Sequence, residues 1–344
     1  MAIPINLSKA RVARFVDARI FGIVLTVACL ALGAYAVNWP QTLSAIADAN
    51  LELAALSTLC LFATLCAFSL RWRQLIAVDK RPPPGRIFNL LMIGYLANAI
   101  LPARPGDVIR AVLLRQIFGI SFSYGVASIV LERLFDALAI CALGLIASFV
   151  VPMPPLLLSG LYTLAAAGLA LVAMLSFLNW RRMSIAQLPV RFPLAFRHPL
   201  AHFLAEWLER FAAAMRILYS PTRLSLAVLL TCLGWGTLAL SSVLLIQAFQ
   251  VSVPPAAALL VLVATNLGAV VPSSPGSLGV YHVMAVMALS VWQVDTSVAV
   301  AFAIASHALA ISLHIVLGLC CAWLEGIGVK RMTRLAEATE RNEA

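Results

Sequence analysis

Uninterrupted apolar runs recur from one end of this sequence to the other, and they limit the possible folds more than any other feature. A helix needs about 20 apolar residues to cross the hydrocarbon core of a bilayer, which is roughly 30 Å thick. Six stretches reach or approach this length, at residues 20–37, 51–70, 123–150, 156–178, 224–249 and 296–324. Because the runs are continuous rather than alternating, they exclude a membrane β-barrel. The sequence therefore predicts an all-α, polytopic integral membrane protein.

The composition and the available motifs support this class of protein. Hydrophobic residues make up 62% of the chain and charged residues only 11%, whereas soluble domains have about 45–50% and 25%. All seven cysteines lie in apolar runs without C-x-x-C spacing, which favours helix packing over a metal or disulfide role. No nucleophile elbow, phosphate-binding loop or dinucleotide-binding loop is found. We therefore predict no metal, no cofactor and a protein that is not an enzyme.

The placement of the basic residues predicts the topology. All 24 Lys and Arg residues precede the first span, follow the last, or lie in the segments 71–133 and 181–223. The remaining loops carry only the acidic residues Asp48, Glu52 and Asp295. The positive-inside rule then places both termini in the cytoplasm, in a multi-pass protein of the cytoplasmic (inner) membrane. The expected organisation is a basic N-terminus (1–19), one transmembrane domain (20–325) and a cytoplasmic tail (326–344), with no loop large enough to bind nucleic acid.

Two further apolar stretches are interrupted in the middle. Residues 88–101 and 108–117 are separated by Leu-Pro-Ala-Arg-Pro-Gly, and residues 256–271 and 278–291 by Pro-Ser-Ser-Pro-Gly. The halves are short for a full crossing, and Pro and Gly break helices. With a cytoplasmic N-terminus, they predict two re-entrant helical hairpins from opposite sides that meet near the membrane centre, resembling inverted-repeat transporters. The alternative is that each pair forms two complete, tilted crossings with an ordinary Pro-Gly loop.

Polar residues cluster at both interruptions. Gly106 and Gly276 are each expected to begin a half-helix whose N–H groups face the break, an arrangement that favours phosphate or carboxylate. Ionisable groups at membrane depth are costly and face a partner or a wet cavity. The candidate residues for binding a lipid headgroup are Asn98, Arg104, Gly106, Asp107, Arg110, Ser273, Ser274, Gly276 and His282.

A second set of polar residues lies on the long spans. Glu132 and Asp136 are four residues apart and therefore share a helix face, so either could instead pair with Arg110 as a structural ion pair. His307 and His314 could relay protons or hold zinc with His282, but the absence of accompanying carboxylate spacing favours helix-to-helix hydrogen bonding. The candidate structural or coupling residues are Glu132, Arg133, Asp136, His307 and His314.

The motifs at the two breaks resemble a known family. Asn98 followed by Leu-Pro-Ala-Arg-Pro-Gly-Asp-Val-Ile-Arg (101–110), Glu-Arg-Leu-Phe-Asp (132–136) and Pro-Ser-Ser-Pro-Gly-Ser-Leu-Gly-Val (272–280) are similar to the lysylphosphatidylglycerol synthase transmembrane-region, or flippase-like domain, family. The resemblance identifies the chain as a stand-alone member without the aminoacyl-transfer domain. Members often have Glu at the position of His282 and many have Arg near His307. The family's headgroup chemistry and proton coupling are therefore not carried over to this chain.

The resemblance implies a lipid translocase that moves a polar or anionic lipid headgroup across the cytoplasmic membrane through a central cavity. Its expected partners are membrane lipids, with a lipid-synthesis enzyme or a second copy of the chain as further candidates. Two alternatives stay open at this point. One is an intramembrane lipid-modifying transferase that uses Glu132, Asp136 or His282 as acid or base, and the other is a non-transporting scaffold for a lipid-synthesis enzyme.

The one-sided distribution of Lys and Arg yields a direct test of topology. A reporter that functions only in the cytoplasm is expected to be active when it is fused after Ala344. The reason is that translocating the flanking basic residues is disfavoured. Activity of a C-terminal reporter that functions only in the periplasm would contradict this topology.

Overall fold

The structure is a computed structural model that describes residues 37–76, 82–101, 105–151, 155–180, 220–269 and 275–328. Every regular element within these ranges is helical, and none of them contains a strand. The predicted span at residues 20–37 lies almost wholly outside the described residues, as do the basic N-terminus and most of the C-terminal tail. The described helices are α1 (Trp39–Ala47), α2 (Leu51–Leu75), α3 (Pro84–Ile100), α4 (Gly106–Phe118), α5 (Phe122–Ser148), α6 (Pro155–Trp180), α7 (Pro221–Ala248), α8 (Ala256–Gly268), α9 (Val280–Ser290) and α10 (Thr296–Leu324).

Five long helices carry the predicted spans from residue 51 onwards. Helices α2, α7 and α10 contain 25, 28 and 29 residues and are apolar enough to cross a membrane. Helices α5 and α6 contain 27 and 26 residues, which corresponds to about 40 Å at 1.5 Å per residue. These lengths confirm the prediction of an all-helical, polytopic integral membrane protein. Helix α2 continues to Leu75, beyond the predicted end at residue 70, and so includes the basic residues Arg71 and Arg73.

The interruptions predicted by the Pro-Gly motifs are present, and the helices beside them are short. Helices α3 and α4 contain 17 and 13 residues, and α8 and α9 contain 13 and 11. At the rise of an α-helix these lengths are about 16 to 26 Å, less than the roughly 30 Å of a hydrocarbon core. Residues 102–104 and 270–274, at the centres of the two breaks, lie outside the described residues. The entry of the two pairs from opposite membrane faces stays a prediction.

The second break differs from the prediction in one respect. Gly276 does not begin a helix, because it lies in a 3₁₀ turn (Pro275–Ser277) with a φ of 70°. Helix α9 begins only at Val280, after Gly279, whose φ is 85°. Both values lie in the left-handed region that glycine adopts without a Cβ clash. The two glycines therefore reverse the chain ahead of α9 instead of forming its first turn.

The chain divides into two compact units. The first takes its residues from Met1–Phe62, Met92–Ile109 and Thr237–Ala344, and the second from Ala63–Leu91 and Arg110–Gly236. In the first unit α8 packs on α9, α9 on α10 and α10 on α1. In the second unit α5 packs on α6, where Gly144 lies directly against the side chain of Leu161. Each unit therefore has its own packed interior.

The close approach of α4 to α3 at the first break generates a stability prediction. A Cβ on Gly106 would collide with the carbonyl oxygen of Gly94 and lie 2.6 Å from Oδ1 of Asn98. Because the obstacle is backbone, Gly106→Ala should lower the free energy of unfolding by at least the roughly 1–3 kcal/mol typical of overpacking. The measurement is the thermal unfolding midpoint of the detergent-solubilised protein.

The matched control is Gly236→Ala in α7, where no atom lies within 4 Å of an added Cβ. That substitution should be neutral or stabilise the helix by up to about 1 kcal/mol. Equal midpoints for Gly106→Ala and the unsubstituted protein would contradict the close approach.

Candidate functional site

Asn98 joins the two sides of the first break. Its Oδ1 accepts a hydrogen bond of 2.7 Å from the backbone N–H of Gly106, and Gly106 begins α4 as the sequence predicts. One of the N–H groups expected to face a ligand is thus already bonded within the protein. Asp107 lies half-buried in the first turn of α4. Arg104, the candidate with the strongest charge at this break, lies outside the described residues.

Arg110 forms a bidentate ion pair with Glu132. Nη2 of Arg110 lies 2.6 Å from Oε2 of Glu132, and Nη1 lies 3.4 Å from Oε1. Both side chains are fully buried, and the guanidinium lies over the ring of Trp72, 4.2 Å from its centroid. Paired charge-assisted hydrogen bonds of this kind are strong and directional. The geometry therefore favours the structural alternative for Arg110, with Glu132 rather than Asp136 as its partner.

Arg71 is the functional candidate that sequence reasoning missed. Its Nη1 lies 2.7 Å from Oδ1 of Asp136, which also accepts a hydrogen bond of 3.2 Å from the indole N–H of Trp235. Arg71 is fully buried and its Nη2 lies 3.9 Å from Oε1 of Glu132. The residue was assigned to a cytoplasmic loop because the apolar run ends at residue 70. The sequence did carry a signal for it: Glu132 and Asp136 lie on one face of a single span, and one buried arginine balances only one of them. The other acid therefore requires a second buried basic residue.

Together these side chains form a buried charge cluster in the second unit, consisting of Arg71, Arg110, Glu132 and Asp136. Two positive and two negative charges cancel, which is how buried ions avoid an unbalanced desolvation cost. Arg133 stands at its margin, with 47% of its side chain exposed and Nη1 at 3.5 Å from Oδ2 of Asp136. The described part of the chain offers Nε and Nη2 of Arg71 no hydrogen-bond partner. The cluster connects α2, α4, α5 and α7 within this unit.

Histidines surround the second break. Nε2 of His307 donates to the carbonyl oxygen of Gly276 at 2.8 Å, because a carbonyl can only accept. Nδ1 of His282 accepts the backbone N–H of Gly279 at 3.3 Å and so caps the start of α9. The two imidazole rings lie 4.9 Å apart, centroid to centroid. Ser273 and Ser274 lie outside the described residues, so their relation to these rings stays a prediction.

Both interrupted helices pack on one face of α10, within the first unit. His307 and Ile311 contact Gly276 at the second break. One and two turns further on, His314 lies 4.8 Å from the ring of Tyr95 in α3, and a Cβ on Gly318 would lie 2.5 Å from Cβ of Leu96. His307 and His314 are about 10 Å apart along the helix axis at the rise of an α-helix. The described residues contain no group of three His, Cys, Asp or Glu side chains that could hold a metal.

The fold and these contacts define an integral membrane protein with interrupted helices and a buried, neutralised charge cluster. The family model of the lysylphosphatidylglycerol synthase transmembrane region matches residues 19–318. The chain therefore belongs to this family, and it is a membrane protein of lipid metabolism or transport. The resemblance inferred from the motifs is confirmed.

Three matches to known proteins extend this comparison. Glycosyltransferase AglD of Haloferax volcanii is 29% identical over 124 residues, which cover 36% of this chain and 20% of that protein. A UPF0104 membrane protein of Methanothermobacter thermautotrophicus is 25% identical over 253 residues, 70% of this chain and 73% of the relative. A further match with that name and source is 32% identical over 89 residues, 25% of each chain. The chain thus spans about a fifth of the glycosyltransferase and a quarter of the relative in the shortest match.

The comparison corrects one prediction. The absence of a recognised catalytic motif led to the expectation of a protein that is not an enzyme, whereas one relative carries the name of a glycosyltransferase. That expectation is wrong. Motif searches detect catalytic residues that are close in sequence, but groups that meet only in the folded chain leave no such pattern.

The buried charge cluster generates a stability prediction. Arg71→Leu should lower the free energy of unfolding by about 3–5 kcal/mol, because Asp136 loses its buried partner and keeps only the half-exposed Arg133. Arg71→Leu combined with Asp136→Leu should lose less than Arg71→Leu alone, since no charge is then left unpaired. The readout is thermal unfolding of purified protein in detergent.

Arg133→Leu is the control, because its half-exposed ion pair should contribute no more than about 1 kcal/mol. A double variant that is less stable than both single variants would show that the charges are not coupled as the geometry indicates.

Proposed function

We propose that the protein moves the polar or anionic headgroup of a lipid across the cytoplasmic membrane. The observation that carries the proposal is the packing of both interrupted helices on one face of α10, at His307 and Ile311 for the second break and at His314 and Gly318 for α3. Non-helical backbone at membrane depth is tolerated where it lines a cavity or is buried in protein. Transporters built on broken helices use such a place to bind substrate.

The candidate headgroup contacts follow from this arrangement. Arg104 supplies a positive charge next to the first break, and its guanidinium can bind a phosphate through two hydrogen bonds. Asp107 lies in the first turn of α4 and His282 in the first turn of α9. The acyl chains remain in the bilayer while the headgroup passes. The remaining proposed contacts are Asn98, Gly106, Ser273, Ser274 and Gly276.

The buried charge cluster has a supporting role in this proposal. Both terminal nitrogens of Arg110 bond to Glu132 in a fully buried ion pair. We therefore assign Arg110 to holding α4 in place rather than to binding the headgroup. The proposed orientation places both termini in the cytoplasm of a cell whose inner leaflet is anionic. Lys and Arg residues then face lipids that attract them by roughly 1 kcal/mol each.

A second candidate function rests on the match to the glycosyltransferase. In that case the protein would transfer a sugar or another group to or from a lipid at membrane depth. Glu132 and Asp136 are engaged by Arg110 and Arg71, which leaves His282 as the acid or base of the sequence-based candidates. Formation of a modified lipid from labelled donor and membrane lipid, lost in His282→Ala, would favour this function.

A transport experiment on Arg104 distinguishes lipid translocation from group transfer. In proteoliposomes with a fluorescent phospholipid, Arg104→Ala should abolish accelerated exchange between leaflets while the protein remains folded. Arg104→Lys should retain part of the activity, because it keeps the charge but lacks the planar donor pair. The measurement is the fraction of fluorescence that an external, membrane-impermeant reductant removes with time.

Arg115→Ala is the matched control, since Arg115 is an exposed residue in the last turn of α4, and it should exchange lipid at the original rate. Normal exchange by folded Arg104→Ala would remove Arg104 from the headgroup site. Exchange no faster than in protein-free vesicles, across anionic, zwitterionic and glycosylated lipids, would overturn the translocase function.

A further inference from the structure

We propose that His307 binds the proton that accompanies an anionic lipid headgroup through the membrane, with Nδ1 as the acceptor atom. The inference rests on the proposed translocase function and names its coupling ion. It is carried by the geometry of the second break, where two imidazoles and the Gly276 turn meet on α10. Proton binding, headgroup binding and the position of the turn are then coupled to one another.

The hydrogen bonds at the break define which nitrogen of each ring can act. Nε2 of His307 carries a hydrogen, because it donates to the carbonyl of Gly276, and Nδ1 therefore has the lone pair in the neutral ring. The described residues offer this Nδ1 no hydrogen-bond partner. His282 has the opposite arrangement, since its Nδ1 already accepts the N–H of Gly279. A proton can thus be taken up on His307 without breaking a bond, whereas on His282 it would remove the helix cap.

The neighbouring rings limit the site to a single proton. His282 lies 4.9 Å from His307, and two positive charges at that separation in a buried site repel strongly. Tyr281 stacks on His307 with its ring centroid 4.5 Å away and bonds through its hydroxyl to Ser306. No carboxylate contacts either imidazole among the described residues. The charge of the bound proton is therefore left to be balanced by an anionic ligand.

Few other titratable groups face this site from the elements packed around it. Helix α9 contributes Tyr281 and His282, and α10 contributes His314 two turns away, where Tyr95 of α3 covers it. Helices α1 and α8 and the turn Pro275–Ser277 carry no titratable side chain. The His307 site is consequently neutral before a proton arrives. The species that moves, one anionic headgroup with one proton, is neutral, because Arg104 belongs to the protein and does not travel with the lipid. Moving it avoids the cost of carrying a net charge through hydrocarbon.

Protonation also acts on the break itself. A charged imidazolium donates a stronger hydrogen bond to a carbonyl than a neutral ring does, so a proton on Nδ1 tightens the contact between Nε2 and Gly276. The Gly276 turn, with its φ of 70°, is then held on α10. Loss of the proton weakens the contact, which the neutral ring still makes at 2.8 Å. This links proton occupancy to the conformation of the second interrupted helix.

The test uses the full-length protein in phosphatidylcholine vesicles that contain a fluorescent phosphatidylglycerol. If one proton moves with each lipid, a difference of one pH unit should drive about a tenfold excess of the probe into the leaflet facing the alkaline side. Protein-free vesicles under the same gradient give the background. His307→Gln keeps an amide donor for the Gly276 carbonyl but takes up no proton, so it should exchange lipid to equal leaflets and lose the excess.

Two histidine variants serve as controls. His282→Gln retains an acceptor for the Gly279 N–H, as glutamine does in a capping box. Because His282 is a proposed headgroup contact, this variant should exchange lipid more slowly, but it should still reach the tenfold excess at equilibrium. His314→Gln should keep it as well. Loss of the excess in His282→Gln but not in His307→Gln would overturn the assignment, and so would lipid exchange by the original protein without any excess. That last result would leave the translocase function standing.

A spectroscopic measurement decides the proton site independently of transport. In ¹⁵N-histidine-labelled protein, the signal that disappears in His307→Gln should show the Nε2–H form at neutral pH and gain a proton on Nδ1 upon acidification. If His307→Gln does not fold, the same signal is identified by its loss in His307→Asn. An Nδ1–H form at neutral pH, or no proton uptake on this ring, would overturn the inference even if lipid is translocated. Proton uptake on this ring without lipid exchange would support the proton-binding site but overturn the translocase function.

Discussion

The packing of the second unit depends on two buried ion pairs, Arg71 with Asp136 and Arg110 with Glu132. An arginine keeps its proton in a protein, so a buried guanidinium requires an opposite charge. Each arginine here has one carboxylate within 2.7 Å, and each lies over an aromatic ring. The directional hydrogen bonds fix where α2, α4 and α5 meet, which apolar packing alone leaves loosely defined. Trp235 extends the same network to α7 through its indole N–H.

The first unit relies on small residues and neutral hydrogen bonds. Gly106 and Gly318 let α4 and α10 approach α3 closely, and Asn98 bonds across the first break. Around the second break, histidine and tyrosine rings pack against one another on α9 and α10. Buried polar groups are thus satisfied by charge compensation in the second unit and by neutral partners in the first. A neutral site with one open imidazole nitrogen is suited to bind a proton, whereas a balanced ion pair is suited to hold helices together.

Membership of the family narrows the function to lipid chemistry or lipid movement, but it does not by itself choose between them. The chain aligns with part of a glycosyltransferase as well as with most of a membrane protein of similar size. Both activities need a lipid headgroup brought to a polar place inside the membrane. In our proposal the interrupted helices provide such a place, and the open Nδ1 of His307 takes up the proton there.

The sequence by itself determined the helical membrane class, the positions of both interruptions and the family, because hydrophobic length and Pro-Gly motifs are local properties. It also limited the partners of Arg110 to Glu132 or Asp136, since four-residue spacing places both on one helix face. It did not reveal that Arg71 is buried, because charge near the end of an apolar run looks the same in a loop and in a helix. Only the tertiary structure decided that pairing, the contact of His307 with Gly276, and the use of one face of α10 by both breaks. These contacts join residues that are far apart in the sequence, and local sequence patterns do not predict such contacts.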